Sequence, residues 1–97
     1  MSYIDRVKPF DWNSDKNARL RQERMIGFTE IVAAIESGNL LDDIRHPSAK
    51  YPHQKIFVVE IDSYAYAVPY VEDNEKIFLK TIIPSRKATK KYLKGEA

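Results

Sequence analysis

No cysteine occurs among the 97 residues, which excludes a disulfide framework, a thiolate nucleophile and a cysteine-ligated zinc. Glycine is scarce. Gly27, Gly38 and Gly95 lie too far apart to form a phosphate-cradling loop. Histidine is limited to His46 and His53. Asp42 and Asp43 lie nearby, but nothing makes the helical pair or tight turn of three or four converging ligands that a metal requires. No metal site and no cofactor are expected. GxSxG, HExxH and CxxC motifs are all missing. There is no run of about 18 apolar residues, so no membrane span is predicted. The opening stretch MSYIDRVKPFDW lacks the apolar segment of a signal peptide, and a cytoplasmic protein is the simple reading.

What is present suits one folded domain, residues 1–97. A 43% hydrophobic and 11% aromatic content is enough for a single modest core at this length. The net charge of +2 is too small to imply a polyanionic partner, but its distribution is uneven. Residues 84–97 hold Arg86, Lys87, Lys90, Lys91 and Lys94 against Glu96, or +4, which leaves −2 on residues 1–83. A basic segment on a mildly acidic body favours a polyanion or an acidic partner.

The first forty residues read as a helical hairpin. A short extended piece, Lys8 to Trp12, precedes the capping residues Asn13, Ser14 and Asp15 and a helix from about Asp15 to Arg24. Ala18 and Leu20 are its few apolar contacts, and Gly27 is placed to end it in a left-handed cap. Phe28, Ile31, Val32 and Ile35 then follow the i, i+3, i+4, i+7 pattern of a half-buried helix, with Thr29 as its N-cap and Gly38 as its end.

The period then changes. LLDDIRH is a candidate short strand, and KIFVVEI (Lys55 to Ile61), apolar on both faces, is a central one. Asp62-Ser63 turns the chain into YAYAVPYV, where Tyr64, Tyr66, Val68 and Tyr70 share one face and Ala65 and Ala67, on the other, admit a close-packed helix. KIFLKTII is the last long strand. Pro69 conflicts with a place between two partners and predicts a bulge or an unpaired strand end. An α+β domain follows: a helical pair, an antiparallel meander and a short closing helix.

Ser85 is placed to cap that closing helix. Arg86, Lys90 and Lys94 would then make one cationic stripe, with Ala88 and Tyr92 packed inward. Like charges at this spacing repel, so an anion such as phosphate would stabilise the stripe; a solvated tail is the plain alternative. Aromatic and basic residues also alternate near the sheet (Tyr51, Lys55, Tyr66, Tyr70, Lys80), as base-stacking surfaces do. His46 is a candidate for proton transfer.

Three stretches in order, FDWNSDKN (Phe10 to Asn17), IGFTEIVAAI (Ile26 to Ile35) and SRKATKK (Ser85 to Lys91), resemble the pattern of BrnT-type toxins of the RelE/ParE superfamily, over about residues 10 to 93. The resemblance implies a RelE-like fold and a ribonuclease that arrests translation, in a type II toxin-antitoxin system silenced by a cognate antitoxin, a small DNA-binding protein. It carries over Arg86 and Lys87. The sequence departs from the pattern at Pro84-Ser85, in place of a small-residue pair, and at Thr81, in place of an arginine, with Lys80 beside it.

On this reading RNA is cleaved without metal by attack of the 2′-hydroxyl on the adjacent phosphate. Arg86, whose planar fork matches phosphate oxygens, stabilises the phosphorane, and Lys80 contributes positive field. His46, or Tyr92 or Tyr70, transfers the proton. Lys87, Lys90, Lys91, Lys94, Tyr70 and Lys55 contact RNA, free or on the ribosome. Two alternatives stand beside it: a non-catalytic RNA- or ribosome-binding module, and an inactive toxin relative that only pairs with a repressor.

Overall fold

The structure, a computed structural model, describes residues 8–95. The signal-peptide reading over residues 1–7 and the charge of Glu96 lie outside that range. The chain runs β1 (Phe10–Trp12), α1 (Ser14–Arg24), α2 (Phe28–Glu36), β2 (Leu40–Arg45), β3 (Lys55–Ile61), β4 (Tyr64–Glu72), β5 (Ile77–Leu79), β6 (Ile83–Pro84) and α3 (Arg86–Ala88), and α3 continues as wider π-helical turns over Thr89–Leu93. It is an α+β architecture. The sheet order is β1-β5-β4-β3-β2, with β6 also on β4.

The meander from β2 to β5 is antiparallel as expected, but the sheet is mixed because β1 pairs parallel to β5. The cause is connectivity: the Ile77 N–H donates to the Pro9 carbonyl at 3.0 Å, which brings the extended piece before α1 onto the free side of β5. Asp62 and Ser63 both take positive φ, 52° and 65°, to close the tight turn between β3 and β4.

Pro69 accounts for a further difference, since KIFLKTII is not one strand. Pairing with β4 runs Tyr70↔Leu79 and then resumes at Ala67↔Ile83, so Lys80, Thr81 and Ile82 face only Val68 and Pro69. That is a one-residue bulge. The Pro69 carbonyl accepts from the Lys80 N–H at 2.8 Å, so its nitrogen, which faces the same side of the strand, points at the interruption rather than at β3. The β3–β4 ladder therefore passes Ile56↔Pro69 in unbroken register. Arg24 secures the bulge by donating to the Ile82 carbonyl at 2.6 Å.

One face of the sheet carries the main core. Phe28, Ile31, Ala34 and Ile35 of α2 and Leu20 of α1 pack on Phe57, Val59, Val68, Tyr70, Ile77, Leu79 and Ile82, and Trp12 stacks on Phe28 with ring centroids 5.8 Å apart. Ala18, by contrast, is exposed.

The helix ends also differ from expectation. Asn13 caps α1 through the Lys16 N–H, as its residue type predicts. Met25, not Gly27, takes the left-handed conformation after α1 (φ 60°, ψ 17°), and Gly27 rather than Thr29 is the N-cap of α2. Gly27 is there for space. A Cβ on it would lie 2.5 Å from Asn17 Oδ1 and 2.9 Å from Arg21 Cγ. Without that Cβ, Asn17 Oδ1 accepts the Phe28 N–H at 2.7 Å, Glu30 accepts the Gly27 N–H at 2.8 Å, and Arg21 forks onto the Glu30 carboxylate.

Candidate nucleic-acid interface

The other face of the sheet receives the basic helix. Ala65 and Ala67 leave room there, and three contacts fix the approach. Ser85 caps α3, its Oγ accepting from the Ala88 N–H at 3.0 Å. The Ser85 N–H reaches the Ala65 carbonyl at 3.0 Å, one last rung in the register of β6 on β4. The reciprocal rung is missing, because the chain turns helical and the Ser85 carbonyl is taken by the Thr89 N–H and hydroxyl. Thr89 Oγ1 supplies the lost acceptor, taking the Ala65 N–H at 2.9 Å. A buried backbone donator is thus satisfied by a side chain of the helix. Thr89 is 4% exposed, and nothing in a cationic run marks such a residue as buried.

A third tie comes from the sheet edge. Tyr92 points inward and its phenol donates a short hydrogen bond to Asp42 of β2. Asp42 also accepts the Asp43 N–H at 2.8 Å. The phenol hydrogen bond, then that N–H, and to a lesser extent the charge of Lys91 hold the Asp42 carboxyl below the usual range, opposed by partial burial. The same hydrogen bond is the main cause that pushes the Tyr92 phenol up, so it stays protonated at neutral pH.

Thus anchored, the helix presents Arg86, Lys87, Lys90, Lys91 and Lys94 exposed to solvent. Among the described residues none of the five forms an ion pair. The stripe is broader than a four-residue spacing implies. The Lys94 N–H bonds the Thr89 carbonyl five residues back, and at this pitch residues four apart no longer stack in line. The cations fan out over the helix surface. Lys91 Nζ sits 5.2 Å from the Tyr92 ring centroid.

The remaining predicted residues divide. Lys80 follows β5 on the helix side of the sheet, its Nζ 5.7 Å from the centroid of Phe78, but one strand beyond β4 and across the bulge. Tyr70 is a correction. It is fully buried on the opposite face, its ring stacked on Phe57 at 3.8 Å and its hydroxyl donating to Asp43 at 2.6 Å, so it offers no surface to a base. Lys55 lies on that same opposite face and pairs with Asp43 at 3.7 Å, away from the basic helix.

His46 precedes Pro47, which lines the groove under the helix. Its Nδ1 accepts the Ser48 N–H at 3.1 Å and its ring packs on Tyr51, centroids 4.7 Å apart. The neutral ring therefore carries its proton on Nε2, a donor toward an anion rather than a base. Tyr92, held as a donor by Asp42, is no base either. The arrangement suits phosphate binding more directly than proton abstraction.

Among the described residues no three His, Cys, Asp or Glu side chains converge as a metal would need, and no helix is long and apolar enough to cross a membrane. No family model matches the chain, and no curated protein or solved structure resembles it significantly.

Proposed function

We propose that this protein is an RNA-directed toxin of the RelE-like kind, which binds RNA through the helix from Arg86 to Leu93, arrests translation and is silenced by an antitoxin. The observation that carries the reading is a fan of five exposed cations, without carboxylate partners among the described residues, on a helix tied to the sheet at Ser85, Thr89 and Tyr92. A tail with no task has no need of a buried threonine and a phenol–carboxylate hydrogen bond to hold it. The motifs from Phe10 to Lys91 lend the toxin reading its class.

The test is fluorescence anisotropy of a single-stranded RNA across a salt series. Up to five phosphate contacts give a log K against log salt slope of up to about −3.5, and reversing Lys90 and Lys91 to glutamate lowers it by about 1.4. RNA affinity that ignores both salt and the reversals removes the proposal.

Cleavage is the second reading, favoured by Arg86, an exposed residue that follows the groove-lining Ser85 in sequence. It calls for a proton acceptor that neither His46 nor Tyr92 supplies in the geometry described. Incubation with RNA in EDTA, with and without ribosomes, separates the two: new 2′,3′-cyclic phosphate ends establish cleavage, and retained RNA with intact termini leaves binding alone.

A further inference from the structure

Beside the cations runs a surface that phosphate does not use. The groove between the sheet and the helix measures about 340 Å³, and Ile44, Ile56, Val58 and Ala67 form its apolar floor, with Lys87 and Lys91 on the rim. Part of this face stays in water: Ile44 is 38% exposed, and Ile83, paired with Ala67, is 46% exposed. An apolar trough edged by ammonium groups matches a chain segment that presents an apolar side chain next to carboxylates.

We infer that this groove docks an acidic segment of a partner protein, one apolar anchor resting on Ile56, Val58 and Ala67 while flanking carboxylates meet Lys87 and Lys91. Charge selects this occupant over a second copy of the chain, because a two-fold contact would bring the cationic rim against itself. It rests on the reading above in one respect: the docked segment and RNA share Lys87 and Lys91, so the segment excludes RNA from the helix.

Two fluorescent peptides of about twelve residues test this, alike in glutamate content, one with a central leucine and the other with serine there. Burying the leucine should tighten binding about tenfold or more. Ile44→Gln, a neutral change at an exposed position, should reduce that preference while leaving RNA affinity within about twofold, since it adds no charge beside the helix cations. On the wild-type protein, the leucine peptide should shift the amide resonances of Ile44, Val58 and Ala67 and displace labelled RNA.

Equal binding of the two peptides, or amide shifts elsewhere, overturns the docking site. So does an Ile44→Gln variant that melts like wild type and prefers leucine as strongly as before. If the peptides discriminate but RNA never binds, the docking site stands and the RNA reading falls; if RNA binds and the peptides do not discriminate, the reverse holds.

Discussion

Replacing Thr89 by valine changes almost no volume, yet it removes the acceptor of a buried amide. Ala65 is fully buried, and its N–H has Thr89 Oγ1 as partner at 2.9 Å. Leaving such a donor unpaired costs about 1–3 kcal/mol. The Ser85 carbonyl also loses the Thr89 hydroxyl but keeps the Thr89 N–H at 3.0 Å, so that loss is minor. Valine buries one methyl in place of the hydroxyl, which returns up to about 0.8 kcal/mol. The net is about 1–2 kcal/mol, and for a domain of this size each kcal/mol shifts Tm by about 4–8 °C, so the melt should fall by about 10 °C. Thr89→Ser keeps the oxygen and gives up a methyl, about 0.8 kcal/mol, and should melt between the two. Thermal melts by circular dichroism give both values. A Thr89→Val protein that melts with wild type, or above Thr89→Ser, shows that the hydroxyl does not hold the helix and removes the basis for a built interface.

Gly27→Ala should destabilise by about 1 kcal/mol, seen as a lower urea midpoint, because the new methyl displaces Asn17 from its cap on Phe28; the reduced unfolded-state entropy of alanine offsets only part of this. Combined with Asn17→Ala the cost should shrink, and two additive effects would place the clash elsewhere. Arg86→Ala should leave the melt unchanged and weaken both RNA binding and growth arrest on induction; a variant that arrests growth at full strength makes the basic helix a bystander. The Asp42–Tyr92 pair predicts a pH window. Asp42 has a folded pKa below its unfolded 3.8, so its contribution is present above about pH 4 and fades as pH falls through the folded value, while Tyr92, raised above 10.0, loses its contribution as pH climbs past 10. Denaturant titrations of wild type and Tyr92→Phe should therefore differ most at neutral pH and converge at both extremes.

Much of this was legible in the residues, where a local rule and the tertiary structure agree. The α2 stripe from Phe28 to Ile35, the β3 apolar run, the Asp62-Ser63 turn and the Ser85 cap each announce themselves by period or residue type. Pro69 correctly signalled a bulge, but not that the extra residue would fall on the partner strand and split it. The parallel seat of β1 depends on where the chain returns, which three extended residues cannot encode. At the candidate site, exposure of the five cations followed from charge alone. Tyr70 was misplaced because a tyrosine serves equally as core and as stacking platform, and only its contacts with Phe57 and Asp43 decide between them. Thr89, Asp42 and Asn17 act through single hydrogen bonds across 24, 50 and 11 residues, and no pattern within a short window reveals such pairings.

The substitution of a threonine hydroxyl for a ladder carbonyl gives the Ala65 amide a special standing. Its neighbours on β4 are protected from solvent hydrogen by strand pairing and exchange only when the sheet opens. The Ala65 proton is guarded by a side chain of the helix, so lifting the helix alone releases it. Its exchange rate is then a native clock for undocking, readable in the wild-type chain without any label. A bound polyanion or acidic segment that braces the helix should slow that one amide while leaving Val68 and Tyr70 as they were.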